Sequence, residues 1–374
     1  MLASTAISCA AEILAPGFGQ AVVNIADQAL KAKSTVELWQ KCFPASDKDS
    51  LAGEFVASCD PNDKSGLNGR GKKGWINTDQ RFPYMIRFEN DPEARVPVKE
   101  VVVRDTLDTS VFDLSSLQLR GFAIADSFYI IPPGFSEYTM RVDLQPRLPY
   151  LVESDVNQNL LSGILPWRFT TLDTISGAPV TDPVRGFLPP NLDALSGQGA
   201  VIFDIALYDS ISNGRAINNK ASKYFDFNDP IITNTWKLKA DNGGLSSSVK
   251  DLNETQNETD IPLNWSGTDS GSGILYYDVL FRKDSTEWLY AAVQTTATSM
   301  TCTGEMKAHY EFYTIAYDSA LNKESAPLQA DARVALVNKA TAMDEHLYNQ
   351  ELEIYPNPSS SILYLEYQEP VKEF

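Results

Sequence analysis

The chain predicts a mostly β protein: two β-sandwich domains preceded by a short N-terminal helical hairpin. Three observations carry this. From Phe82 onward, short stretches of alternating apolar and polar residues recur, separated by clusters of Pro, Gly, Asn and Asp. Helical periodicity is almost confined to residues 1–45. At 374 residues the chain is long enough for two domains, each able to bury a core of its own.

Within residues 1–45, Ile7, Ala10, Ala11 and Leu14 recur at helical spacing, and Pro16-Gly17-Phe18-Gly19 interrupts them. Val22, Ile25, Ala26, Ala29 and Leu30 resume the pattern, and Val36, Leu38 and Trp39 extend it to Phe43-Pro44. So small a helical pair cannot bury its apolar face alone, so it is expected to pack on a neighbouring part. Met1 to Ala15 is apolar but lacks the positively charged opening of a secretory signal peptide. The natural start is therefore expected upstream, with this chain the tail of something longer. No apolar run reaches the roughly 18 residues of a membrane-spanning helix, so no transmembrane segment is expected.

Cys59 to Trp75 is a polar loop rich in Asp, Asn, Lys and Gly. The first sandwich is expected over 57–240. Its clearest strands are Phe82–Phe88, Val96–Asp105, Tyr138–Leu144, Leu148–Val156, Ile164–Leu172, Ala200–Tyr208, Ala216–Phe227 and Ile231–Trp236. Residues 241–258, rich in Asn, Ser and Gly, read as a linker. A smaller sandwich is expected over 259–330, a hinge over 331–350 and a C-terminal segment over 351–374.

Composition narrows the function. The formal net charge of -18 argues against nucleic acid as a partner and leaves room for divalent cations. Cys9, Cys42, Cys59 and Cys302 contain no CxxC spacing, so zinc and a thioredoxin-like pair are unsupported. A disulfide among the first three and buried free thiols are both compatible with the sequence. Gly66-Leu67-Asn68-Gly69-Arg70-Gly71-Lys72 has P-loop spacing, but Lys73 stands where a magnesium-binding hydroxyl is needed and no helix follows. His309 and His346 give no frame for a triad or a zinc protease site. No pair of carboxylates is singled out for glycoside hydrolysis.

Calcium has a physical case. Asp60, Asn62 and Asp63 place hard oxygen ligands in one turn, and Asp226, Asn228 and Asp229 do the same between two strands. If the first and last strands of the sandwich are neighbours, both turns face one ion. The competing reading is that these side chains bond their own backbones, and without a complete EF-hand loop it is the favoured one. Asp269 and Asp318 make a weaker pair of the same kind, again favoured as turn stabilisers. Tyr276, Tyr277, Trp288 and Tyr290 offer a sugar-stacking face or, in the favoured reading, core and cross-strand pairs.

Three stretches resemble known families. Tyr355-Pro356-Asn357-Pro358, followed by Ser359 to Glu366, spells a turn feeding a strand. It resembles the start of the C-terminal sorting domain read by the type IX secretion system of Bacteroidetes, here truncated. That resemblance implies export to the outer surface, with the type IX machinery as partner. Cys59 to Gly66, Phe82 to Asn90, Val101 to Asp108, Gly186 to Asn191 and Phe225 to Ile231 follow one another in a way similar to an uncharacterised adhesin-like β-sandwich domain of large bacterial surface proteins. Ile261 to Asp269, Gly273 to Val279 and Tyr310 to Asp318 resemble a fibronectin type III-like or immunoglobulin-like sandwich, which places Trp265 in its core. Asp318 to Asn322 resembles that module's Asp-x-x-Gly-Asn turn. Leu321 in the Gly position predicts a distortion there.

The function these imply is a non-catalytic, secreted or cell-surface structural or adhesion protein. Its partners would be the secretion machinery and a surface polysaccharide or protein. The alternative is the accessory region, spacer or carbohydrate-binding, of a secreted hydrolase whose catalytic domain lies upstream.

Overall fold

The computed structural model describes residues 62–338 apart from 136, 158–161 and 194–195. The predicted helical hairpin, Asp60, Cys9, Cys42, Cys59, His346 and the Tyr355–Pro358 motif lie outside the described residues. Every regular element among those described is a strand.

The first sandwich contains β1 (Lys64–Gly66), β2 (Trp75–Asn77), β3 (Arg81–Glu89), β4 (Glu100–Thr106), β5 (Phe112–Ile124), β6 (Ser127–Ile130) and β7 (Glu137–Asp143). It continues with β8 (Tyr150–Asn157), β9 (Ile164–Asp173), β10 (Gln198–Leu207), β11 (Ala216–Asn219), β12 (Ala221–Phe225), β13 (Ile231–Ile232) and β14 (Trp236–Asp241). One sheet runs β1-β3-β10-β5-β6 and the other β13-β12-β4-β9-β8-β7, while β11-β14-β2 forms a small third sheet with β14 and β2 parallel. Alternation explains the layering: Val101 and Val103 of β4 and Leu165, Trp167 and Phe169 of β9 point inward. They meet Phe88 and Phe122 of the facing sheet, whose ring centroids lie 5.4 and 5.3 Å from that of Phe169. Trp167 gives its indole N–H to Ser154 Oγ at 2.9 Å, so its burial leaves no donor unpaired.

The second sandwich contains β15 (Ser246–Val249), β16 (Thr255–Gln256), β17 (Asp260–Thr268), β18 (Ile274–Lys283), β19 (Leu289–Thr295), β20 (Ser299–Thr303), β21 (His309–Asp318) and β22 (Ala332–Leu336). Its sheets run β15-β17-β20 and β16-β22-β21-β18-β19, an immunoglobulin/fibronectin-like arrangement. Ile261, Leu263 and Trp265, spaced by two along β17, face Tyr277, Val279, Phe312 and Ala316 across the core. Trp265 is buried and its ring meets that of Tyr277 edge-on at 6.4 Å.

The structure differs from the sequence reading in several places, among them the expected strand Ala216–Phe227, which divides into β11 and β12 in different sheets. Of the linker expected over 241–258, only 242–245 connect the sandwiches, because Ser246–Val249 and Thr255–Gln256 join the sheets of the second. Three serines in a row read as linker by composition, yet their backbone pairs with β17 and Val249 alone faces the core. The expected hinge begins with β22, whose Ala332, Val334 and Leu336 are buried. The expected strand Ile231–Trp236 divides into β13 and β14, and Asn234 between them bonds the backbone N–H and C=O of Lys64 at 2.8 and 3.0 Å. Strand β5 was not anticipated. Its pairing with β10 shifts register between Asp204 and Ala206, so the inward alternation changes phase at Ser115-Ser116 and no period of two is visible in the sequence.

Candidate functional site

The residues singled out for calcium divide into two kinds. Asn62, Asn228 and Asp229 line one cleft of about 450 Å³, together with Glu89, Asn90, Asp91 and Phe225. Asp63 and Asp226 instead turn inward. Asp63 is buried and accepts from Arg87 Nε at 2.7 Å, whereas Asp226 Oδ1 accepts the backbone N–H groups of Lys99 and Glu100 at 3.0 and 2.9 Å. Asp226 also takes a left-handed φ of 51°, which its short polar side chain tolerates. Asn62 Oδ1 accepts from Glu89 N and from Lys223 Nζ. The two turns thus flank a common cleft, but their two innermost carboxylates serve the fold.

Three carboxylates converge elsewhere. Asp241 ends β14 of the first sandwich, Asp269 follows β17 and Asp318 ends β21. Each offers one oxygen, and these oxygens lie within 4.8 Å of one another; this is the one such group of His, Cys, Asp or Glu side chains among the described residues. The site therefore sits where one sandwich hands the chain to the other. Asp241 Oδ2 accepts from Ser272 N at 2.6 Å, and Asn322 Nδ2 donates to Asp241 O at 3.0 Å and to Asp318 Oδ2 at 2.7 Å. Asp269 Oδ2 accepts from Gly271 and Gly273 N, and Asn213 of the first sandwich donates to Ser270 Oγ. After these bonds, Asp241 Oδ1 and Asp269 Oδ1 are buried with no partner, and Asp241 as a whole is 0% exposed. Gly271 is required here, since a Cβ would come within 2.3 Å of the Asp241 carboxylate.

Burial pushes the Asp318 carboxyl above its usual range; its bonds from Asn322 oppose this, and the charges of Asp241 and Asp269 add to it. Chemically, three converging carboxylates, two of them with a buried oxygen that has no partner, make the donor set that a hard divalent cation takes. Sequence reading named Asp269 and Asp318 but missed Asp241, which it placed at the start of a linker. The signal available was its position just before an Asn-Gly-Gly turn at the end of the buried pair Leu238 and Ala240.

The aromatic residues do not form one face. Tyr277 is in the core, Tyr276 packs on Tyr317 with centroids 4.7 Å apart, and Trp288 meets Tyr313 edge-on at 4.3 Å beneath Arg282. Leu289, Tyr290 and Val293 of β19 are exposed at the edge of their sheet. The glycine-rich loop after β1 leads into strand β2, and His309 is exposed, 3.7 Å from Asp284. Cys302 is a free, half-buried thiol. No helix among the described residues is long and apolar enough to cross a membrane.

Residues 60–128 and 186–239 match the model of a family described as "Domain of unknown function (DUF7619)". No curated protein matches the chain. Among solved structures, the fibronectin(III)-like modules of Clostridium thermocellum CbhA align at 10% identity over 72% of this chain and 90% of theirs, with a TM-score of 0.24. BspA_C_WT aligns at 8% identity over 73% and 96%, with a TM-score of 0.31. BcpA, the major pilin subunit of Bacillus cereus, aligns at 12% over 74% and 69%, with a TM-score of 0.28. At such scores the fold is read from the strand order itself, and these likenesses carry no argument about function.

Proposed function

We propose that this chain is a non-catalytic structural and adhesive segment of a secreted or outer-surface protein. The observation that carries this reading is the junction. The chain passes between the sandwiches through 242–245, and hydrogen bonds between side chains and between side chain and backbone cross that joint, as a spacer that transmits load requires. The exposed apolar side chains of edge strand β19 support the adhesive half, because an open sheet edge is a surface on which another protein or a polysaccharide can be held. In this reading the segment 351–374, with Tyr355-Pro356-Asn357-Pro358, addresses the molecule to a type IX-like exporter. Protease or antibody accessibility on intact cells tests it: the chain should be reachable from outside, and replacing Tyr355 to Pro358 by Ala should retain it within. A chain that is intracellular in both forms ends the surface reading.

Within the same reading, a calcium ion held by Asp241, Asp269 and Asp318 stiffens the joint; the two buried oxygens without partners support this. Chelator should lower the melting temperature of the full chain, and Asp241→Asn should remove that sensitivity. Sensitivity that survives Asp241→Asn would place the ion at the Asn62–Asp229 cleft instead, and a melt unchanged by chelator removes calcium from both.

A further inference from the structure

A second polar group is buried inside the first sandwich, where β1, β4 and β11 meet. Lys64, Asp105 and Asn219 are 0%, 1% and 2% exposed. Lys64 Nζ donates to Asp105 Oδ2, and Asn219 Nδ2 lies 3.4 Å from the same oxygen. The Tyr84 ring centroid is 4.3 Å from Nζ and that of Phe203 is 5.5 Å away, so aromatic walls keep water out. Asp105 Oδ1, Asn219 Oδ1 and the Tyr84 hydroxyl are buried without a hydrogen bond of good geometry. As a stabilising ion pair this is a poor arrangement. A buried pair seldom beats apolar packing of the same volume, and each unsatisfied buried polar atom costs about 1–3 kcal/mol. As a reaction site it is well composed, with an amine, a carboxamide and a carboxyl between them in a dry pocket.

We propose that Lys64 and Asn219 become joined by an intramolecular amide bond, with Asp105 carrying the protons that the reaction moves. Burial draws the Lys64 ammonium down to about 8, against the pull of Asp105, and pushes the Asp105 carboxyl up. Moving one proton from Nζ to Asp105 gives a neutral amine with a free lone pair beside a neutral acid. A half-turn of the Asn219 amide, whose oxygen and nitrogen are assigned by their bonding, presents its Oδ1 to that acid. Nζ then attacks Asn219 Cγ, and the Asp105 proton stabilises the oxygen that gains charge. Asp105 next takes a proton from Nζ and passes it to Nδ2, the Cγ–Nδ2 bond breaks and ammonia leaves. Amine plus primary amide gives secondary amide plus ammonia, which leaves as ammonium with the proton first moved to Asp105; nothing is oxidised or reduced, and Asp105 is returned as the carboxylate. Were Asp105 itself the acceptor, water would leave and the carboxyl beside the reacting atoms would be consumed, with none of Lys64, Asn219 or Tyr84 able to replace it as proton carrier.

The cross-link would tie β1, a three-residue strand at a sheet edge, to β11. Since β11 pairs with β14, which leads to the second sandwich, force entering at β1 would pass to the exit without unzipping the strands between. That mechanical consequence rests on the surface reading; the bond does not.

Mass spectrometry of the reduced full chain tests the bond wherever the protein resides in the cell. The expected result is a mass about 17 Da, one ammonia, below that of the sequence, and a branched peptide in a digest joining the segments of Lys64 and Asn219. Lys64→Arg and Asp105→Ala should each restore the unmodified mass. If those variants fail to fold, the digest of the unaltered chain still decides. An unmodified mass in the native chain overturns the proposal, as does a loss of about 18 Da with the branch at Asp105.

Discussion

The carboxylates that the two sandwiches bury or half-bury are held in different ways. In the first, three buried carboxylates inside the fold meet cations: Asp105 pairs with Lys64, Asp63 with Arg87, and Asp204 with both Arg81 and Arg120. In the second, carboxylates accept backbone N–H groups. Asp278 Oδ1 accepts from Gln294 N at 2.8 Å, Asp331 Oδ2 from Val249 and Thr314 N at 3.0 and 3.1 Å, and Glu324 from Ser247 and Ala316 N at 2.7 and 2.9 Å. An ion pair between strands fixes which side chains meet across the core. A carboxylate on backbone N–H groups fixes where an irregular segment docks on a sheet, and it leaves an acid with no cation to keep it charged. The first sandwich should therefore be broken by removing a partner, and the second should respond to protons.

The largest effect is expected at Asp105. Asp105→Ala leaves Lys64 buried without its counter-charge, which typically costs about 3–5 kcal/mol, and it removes the proposed route to the cross-link as well. Denaturant unfolding of the full chain should show the transition of the first sandwich displaced by that amount, with the second unmoved. Equal displacement of both would mean that they unfold as one unit and that the difference between them is confined to the folded state.

Acid should act the other way round. Burial raises the carboxyls of Asp318 and Asp331, opposed for each by hydrogen bonds. With a folded-state pKa above the unfolded value near 4, the folded chain binds protons more readily than the unfolded one. The stabilisation from protonation is present in full below the unfolded pKa and is lost as pH rises through the raised folded values. In chelator, the melting temperature of the second sandwich should rise as pH falls from neutral toward about 4, and Asp318→Asn should flatten the rise. A midpoint that falls steadily over that range would show that the hydrogen bonds to these carboxylates outweigh their burial.

What the sequence made legible follows the same division. Strands with uninterrupted alternation, such as Ile261 to Trp265 on β17 or Leu165 to Phe169 on β9, could be read directly, because one face is buried and the period is two. Strand β5 could not, since a register shift reverses its phase, and β15 could not, since its serines contribute backbone pairing and little apolar surface. The acidic site was half legible. Asp269 and Asp318 lie in recognisable turns, but Asp241 joins them only because the chain crosses between sandwiches in so few residues, which no local pattern records. Lys64 and Asn219 gave no signal at all. Each sits in a polar stretch, and only the packing of three separate strands buries them together.

The smallest expected effect concerns Leu321, where the sequence predicted a distorted turn. The turn is intact: Asn322 N donates to Asp318 Oδ1 at 2.8 Å, Leu321 N to Asp318 O at 3.1 Å and Asp318 N to Asn322 O at 3.1 Å. Leu321 supplies the left-handed conformation itself, with φ of 69°, at a cost of roughly 1–2 kcal/mol relative to glycine. Leu321→Gly removes that strain but loosens the unfolded chain by about 0.5–1 kcal/mol. The net expectation is a gain of about 0.5 kcal/mol, read as a rise of a few degrees in the melting temperature of the second sandwich. A fall would mean that the half-buried leucine side chain contributes more packing beside Asp318 than its backbone strain removes. In that case the acidic junction is held from outside by an apolar contact as well as from within by hydrogen bonds.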